Sequence, residues 1–101
     1  MTYRNRKLLD VAHEAPHCFL GIKGICVSSE DGYSPCHSNL QRHGRGFAHK
    51  SADVYAVPGC HACHRWLDYG KTAREEKEAA FMSAWERYIL WLFETGKVIA
   101  K

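Results

Sequence analysis

Residues 60–64, Cys60-His61-Ala62-Cys63-His64, hold the densest group of metal-binding side chains in the sequence. Three interpretations compete for them, because Cys-x-x-Cys-His occurs at haem c attachment sites, Cys-x-x-Cys forms redox pairs, and the same spacing brings two thiolates to one zinc ion. Haem attachment is usual in exported proteins. A thioredoxin-like pair requires a βαβ context, which neither the order of elements nor the residues that flank 60–64 support. We favour zinc, bound at a tight turn that leads into a helix beginning near His61.

A second cysteine pair is available to complete a zinc site. Cys18 and Cys26 stand at the two ends of CFLGIKGICV, where two glycines among β-forming residues predict a tight extended turn or a hairpin. The gap between them is wider than in most zinc knuckles, and His17 or Cys36 could replace one ligand. The expected structural zinc ligands are Cys18, Cys26, Cys60 and Cys63.

The length and composition predict one folded domain. The chain has 101 residues, of which 46% are hydrophobic and 25% are charged, and this excludes a disordered or low-complexity protein. We take residues 1–101 as a single domain, with a core over 4–71 and a carboxy-terminal helix over 72–96. The amino terminus carries no apolar run of a secretory signal, and residues 88–93 are too short to span a bilayer. We therefore expect a cytoplasmic protein without a membrane span.

Turn and periodicity signals predict an α+β fold. We expect a short helix over residues 4–15, stopped by Pro16. A turn is expected over residues 28–35 and a loop over 39–50, followed by a short strand over 53–57. Thr72 and Glu75 form a capping box for a long helix that ends at Gly96. One side of that helix is strongly apolar, which predicts burial against the domain or against a second copy in a homodimer. Its members are Phe81, Trp85, Tyr88, Ile89 and Leu92.

Two further features point to phosphate chemistry. His64 and Asp68 lie four residues apart on the expected helix and could hold one divalent ion, and His37 would face His64 if the flanking segments pair as a hairpin. A neutral histidine can deprotonate water for in-line attack on a phosphate while the ion offsets negative charge. Residues 32–52 contain no carboxylate but do contain Arg42, Arg45 and Lys50, which suits a polyanion such as nucleic acid.

This order of motifs resembles the HNH, or ββα-metal, family of nucleases, and more closely the small HNH-type endonucleases of phages and prophages. The resemblance covers residues 4–71. It implies a zinc-stabilised ββα-metal core with an amino-terminal helix and a long carboxy-terminal helix, and a DNA-hydrolysing enzyme in the cytoplasm of a bacterial host. The matching segments are RNRKLLDVA, Cys18 with Cys26, Cys36-His37-Ser38-Asn39, His43-Gly-Arg-Gly46, Lys50-Ser-Ala-Asp53 and Cys60-His-Ala-Cys-His64 with Leu67-Asp68.

The resemblance also implies roles for individual residues. His37 matches the general base, His64 matches the histidine that opens the metal-binding helix, and Asp68 stands where a second ligand for Mg²⁺ or Mn²⁺ is found. The four cysteines match the structural zinc ligands. The cations that would bind DNA phosphates are Arg42, Arg45 and Lys50.

The sequence departs from the family pattern at two positions. Tyr55 stands where the central asparagine is expected, with Asp53 and Asn39 as the nearest polar candidates, and Cys36 stands where many members have an acidic metal ligand. The leading hypothesis is a metal-dependent DNA endonuclease. The alternative is a non-catalytic zinc module that binds nucleic acid or a protein partner.

Overall fold

The computed structural model describes residues 3–27, 32–40, 43 and 50–99. These residues form a small α+β domain with three helices and a two-stranded sheet. In chain order the elements are α1 (Arg6–Val11), β1 (Ser34–His37), β2 (Ala56–Gly59), α2 (His61–Tyr69) and α3 (Arg74–Glu94). Single turns of 3₁₀ helix follow α1 at Ala12–Glu14 and precede β2 at Asp53–Tyr55.

The amino-terminal helix is shorter than the 4–15 expected from sequence. Asn5 begins it, because its side-chain oxygen accepts a hydrogen bond from the Leu8 N–H at 3.1 Å. The α-helical hydrogen bonding ends at Val11, and the 3₁₀ turn carries the chain as far as Glu14. The turn then gives way to an extended backbone at Ala15, just before Pro16, which cannot continue a helix.

The sheet is an antiparallel pair of strands, and its bounds differ from those predicted from the sequence. Ser34 pairs with Gly59 and His37 with Ala56, so β1 starts inside the segment 28–35 that the sequence predicted as turn. The predicted strand 53–57 is 3₁₀ helix over its first three residues and strand only from Ala56. Pairing between β1 and β2 overrides the local turn preference, and both strands tolerate proline because each is an edge strand.

Helix α2 begins at His61 as predicted, with Cys60 at its amino-terminal cap. It ends at Tyr69, and Gly70 caps it. An added Cβ at Gly70 would lie 2.5 Å from the Trp66 carbonyl oxygen, so only glycine fits this close turn. The turn brings Thr72 beside Trp66, whose indole N–H donates to the Thr72 hydroxyl at 3.1 Å. The predicted capping box is therefore wrong: α3 begins after Ala73 with no side-chain cap.

Helix α3 packs on the antiparallel pair of β1 and β2, called the hairpin below, and completes the core. Its buried side is the one that the sequence predicted, and Gly96 ends the helix region in a left-handed conformation at φ 74°. Two polar contacts fasten α3 to the rest: Trp85 Nε1 donates to the Val54 carbonyl at 2.8 Å, and Arg87 Nη2 donates to the Phe19 carbonyl at 2.9 Å. The fully buried members of α3 are Phe81, Ala84, Tyr88 and Leu92.

No helix in the part of the chain that the structure describes is long and apolar enough to cross a membrane.

Candidate functional site

Four cysteine sulfurs converge at the junction between the amino-terminal segment and α2. The sulfurs of Cys18, Cys26, Cys60 and Cys63 all lie within 4.8 Å of one another. Cys60 caps α2 and Cys63 lies in its first turn, so the Cys-x-x-Cys spacing puts both sulfurs on one side of the helix start. The four predicted zinc ligands are thus brought together.

The segment that carries Cys18 and Cys26 is a hydrogen-bonded turn. The Ile22 carbonyl accepts from the N–H groups of Ile25 and Cys26 at 3.0 and 2.8 Å, and Gly24 has a φ of 81°. Among residues 18–26 no strand forms, so the hairpin alternative raised by the sequence is wrong and the tight turn is the correct form. A left-handed glycine closes this turn with little strain, so the sulfurs of Cys18 and Cys26 can lie in one cluster.

Backbone N–H groups point at the sulfurs. Gly21 and Cys60 donate to the Cys18 sulfur at 3.3 and 3.2 Å, and Ile22 donates to the Cys63 sulfur at 3.4 Å. The Cys63 N–H also donates to the Cys60 sulfur, at 3.5 Å. Such N–H groups stabilise negative charge on sulfur, as the groups that surround metal ligands commonly do.

The sulfurs differ in how easily they ionise. Burial opposes ionisation of Cys60, yet hydrogen bonds from Val27, Cys63 and Cys18 lower the pKa of its thiol to about 6. Burial raises the pKa values of Cys18 and Cys63, and the nearby thiols raise that of Cys63 further. Four thiolates this close repel one another, so a bound cation is what allows all of them to ionise.

The donor set fits a tetrahedral metal ion. Around zinc with sulfurs at about 2.3 Å, neighbouring sulfurs are separated by roughly 3.8 Å. The cluster therefore needs only a small contraction to bind a metal. The two substitutes considered from sequence are not needed: Cys36 is fully buried with its sulfur 3.4 Å from the Ser34 carbonyl, and His17 contacts the Cys18 carbonyl at 3.3 Å.

His64 and Asp68 form a second, more exposed group on α2. Their Nε2 and Oδ2 atoms lie 3.2 Å apart, one helical turn from each other, as their spacing predicts. The Asn39 amide approaches the same place, donating to the Leu67 carbonyl at 3.2 Å and to Asp68 Oδ1 at 3.3 Å. Asn39, one of the two nearest polar candidates for the asparagine that the resemblance implies, is therefore a direct neighbour of Asp68.

His37 lies at the end of β1 and pairs with Asp53. Its Nε2 atom is 2.9 Å from Asp53 Oδ1, and His37 is 15% exposed while Asp53 is 4% exposed. The Asn5 N–H donates to Asp53 Oδ2 at 2.6 Å and Arg4 Nη1 donates to Oδ1 at 3.2 Å. Burial opposes ionisation of Asp53, but hydrogen bonds from His37, Asn5 and Arg4 outweigh it and lower the pKa of the carboxyl group.

His37, His64 and Asp68 do not form a three-ligand metal site. Within the described residues, the cysteine cluster is the one group of three or more histidine, cysteine or acidic side chains whose ligand atoms converge. Neighbours in a strand face opposite ways, so Cys36 enters the core and His37 faces Asp53. Only Ser38 separates His37 from Asn39, so the two polar groups lie at the same end of the hairpin.

His43 packs against Tyr55 and Ser38. Its ring stacks on Tyr55 with centroids 3.7 Å apart, and its Nδ1 atom lies 2.7 Å from the Ser38 hydroxyl. The His43 carbonyl accepts a hydrogen bond from the Ala52 N–H at 2.8 Å. Tyr55, at the expected asparagine position, thus has a packing role.

Of the three cations predicted to bind DNA, one lies among the described residues. Arg42 and Arg45 lie outside the described residues, whereas Lys50 is exposed. The Lys50 carbonyl accepts from Arg4 Nη2 at 2.8 Å, so Arg4 ties the amino terminus both to this segment and to Asp53. The sequence did not indicate that Arg4 and Asn5 bind Asp53, the partner of His37. The only signal available was that Asp53 is the first carboxylate after the long acid-free stretch.

Comparison of the chain with protein-family models, with curated proteins and with solved structures found no match.

Proposed function

We propose that this protein is a metal-dependent endonuclease that hydrolyses phosphodiester bonds in DNA and has an HNH-type core stabilised by zinc. The observation that carries the proposal is that His37 and Asn39, two residues apart at the end of β1, each contact a different carboxylate, Asp53 and Asp68. His37 with Asp53 supplies a candidate base, and His64 with Asp68 and Asn39 supplies polar groups for a cation. A phage or prophage origin and a bacterial cytoplasm belong to the same proposal.

Zinc at the cysteine cluster would have a structural role. Four sulfur ligands leave no open coordination position, which is typical of structural zinc sites. The ion would join the turn at Cys26 to the start of α2, and His64 follows Cys63 directly. Zinc would thereby hold the helix that presents His64 and Asp68.

His64 and Asp68 would hold the catalytic ion, Mg²⁺ or Mn²⁺. Such an ion supplies positive charge that offsets the charge on the scissile phosphate and on the departing oxygen. A mixed histidine and carboxylate pair suits Mn²⁺ as well as Mg²⁺. Asn39 would keep Asp68 oriented through the hydrogen bond that its amide donates to Asp68 Oδ1.

His37 would remove a proton from water, while cations hold the DNA. The ring is partly exposed, so water can reach it. Lys50, Arg42 and Arg45 would bind backbone phosphates, which gives affinity without reading the base sequence.

A non-catalytic zinc module that binds nucleic acid or a protein is the second candidate. One observation favours it: Cys36, at the position where many HNH members have an acidic ligand, is fully buried in the core. The proposed catalytic ion would then have only His64 and Asp68 as protein ligands.

Nicking of supercoiled plasmid tests the two candidates. We expect the zinc-loaded protein to nick DNA with Mg²⁺ or Mn²⁺ but not with EDTA, and His37→Ala to lose this activity while keeping its zinc and its folded structure. His13→Ala, which removes an exposed histidine, is the matched control and should cleave normally. Zinc content and DNA affinity without cleavage under any divalent ion would establish the binding module instead.

A further inference from the structure

Asp53 is the buried acidic residue of the described part of the chain, and its carboxylate takes part in several hydrogen bonds. It receives His37 and Arg4 at one oxygen and the Asn5 N–H at the other. The Asp53 N–H donates in turn to the Tyr3 carbonyl at 3.0 Å. Three segments that are distant in sequence are thus fastened at this one side chain.

The charge of Asp53 determines which nitrogen of His37 carries the proton. An ionised carboxylate can only accept hydrogen bonds, and the pKa of Asp53 is lowered, so it is ionised at neutral pH. The Nε2 atom 2.9 Å away must therefore be the donor. A neutral imidazole has one N–H group, so the lone pair able to accept a proton is on Nδ1.

The carboxylate is itself held firmly. Arg4 shares Oδ1 with His37, and the Asn5 N–H binds Oδ2. Asp53 also begins a 3₁₀ turn, and in this turn the Val54 carbonyl accepts a hydrogen bond from the Trp85 indole of α3. Rotation of the carboxylate would break two of these hydrogen bonds inside a buried site, where unmade bonds are costly. The orientation of His37 is thus set by the tertiary structure.

We propose that Asp53 is a positioning residue that holds His37 in the Nε2–H tautomer and leaves Nδ1 as the proton acceptor of the reaction. The role of His37 as base rests on the proposed function, whereas the tautomer does not. In the step, a water O–H bond breaks and its proton moves to Nδ1, while the water oxygen bonds to phosphorus. The bond from phosphorus to the departing oxygen breaks, and that oxygen takes a proton from solvent. The positive charge left on the ring is neutralised by the Asp53 carboxylate.

The tautomer is measured by two-bond ¹H–¹⁵N correlation spectra of the zinc-loaded protein at a pH where His37 is neutral. We expect the Nε2–H pattern in the wild type. A wild-type spectrum showing Nδ1–H would overturn the inference, whether or not the protein cleaves DNA. This measurement needs no substitution that could disturb folding.

Asp53→Asn provides the functional arm, with Asp10→Asn, an exposed carboxylate on α1, as matched control. The amide can donate to Nε2, so we expect the ring to shift toward the Nδ1–H tautomer and kcat to fall by about 10²–10⁴-fold with KM nearly unchanged. Unchanged kcat and an unchanged tautomer in Asp53→Asn would contradict the inference. If the tautomer reverses as expected but the wild type cleaves nothing, the positioning by Asp53 holds and the nuclease proposal fails.

Discussion

The backbone N–H of Cys60 donates a hydrogen bond to the sulfur of Cys18 at 3.2 Å, across 42 residues of sequence. Cys60 also caps α2, so this single contact joins the amino-terminal segment to the helix that carries His64 and Asp68. Any weakening of the cysteine cluster is therefore transmitted to the candidate catalytic residues.

We expect metal binding to depend on the four converging sulfurs and not on the number of cysteines in the chain. We expect Cys63→Ser to lose most bound zinc and to unfold at much lower temperature, since metal binding supplies a large part of the folding free energy in small zinc domains. Cys36→Ser is the matched control: it should keep one zinc per chain, as measured by metal analysis, and cost about 1–3 kcal/mol for a buried hydroxyl. Equal zinc loss in the two variants would contradict the four-cysteine site.

Metal affinity should rise with pH. Folding lowers the pKa of Cys60 from 9.0 to about 6, so the stability contributed by its thiolate is present above pH 9.0 and is lost as pH falls through about 6. Cys18 and Cys63 have raised pKa values, and both release protons when a metal binds. Competition with a chelator between pH 5 and pH 8 should show tighter binding at each higher pH, with the steepest change below about 6. An affinity independent of pH would argue against thiol ligands.

The stacked ring of His43 contributes stability. His43→Ala removes its contact with Tyr55 and leaves the Ser38 hydroxyl without its 2.7 Å partner. We expect the free energy of unfolding to fall by about 2–4 kcal/mol in urea denaturation. His13→Ala, at an exposed position, should change it by less than about 0.5 kcal/mol.

DNA affinity should fall steeply with salt. Each phosphate contact contributes a slope of about 0.9 to the dependence of log affinity on log salt, so Lys50→Ala should reduce the slope by about 1. Arg74→Ala at the start of α3, where Glu75 and Glu76 follow the arginine, is the control and should leave the slope unchanged. Binding that does not respond to salt would remove Lys50 as a phosphate contact.

The outer side of α3 predicts self-association. Leu90 and Phe93 are 58% and 50% exposed, and apolar side chains this exposed on one helix favour a homodimer through α3. Sedimentation of the wild type at micromolar concentration should show the dimer, and Leu90→Glu should return it to monomer without loss of melting temperature. A monomeric wild type would exclude this interface.

Local patterns in the sequence predicted those features that depend on near neighbours. The start of α2 at His61, the apolar side of α3, its end near Gly96 and the pairing of His64 with Asp68 all depend on spacings of a few residues. The placement of Cys60 and Cys63 also depends on near neighbours, because one turn of α2 determines where both sulfurs lie. Each of these features was predicted with little error.

Only the tertiary structure decided which distant groups meet. Arg4, His37 and Asp53 come together across as many as 49 residues, and nothing in their local sequence shows that one carboxylate binds both of the others. The strand bounds were decided in the same way, because pairing between β1 and β2 overrode the turn signals around Ser34 and Pro35. The physical reason is that hydrogen bonds to a buried carboxylate and across a sheet form only after the whole chain has enclosed them, whereas helix starts and metal knuckles are determined by bonds within a single turn.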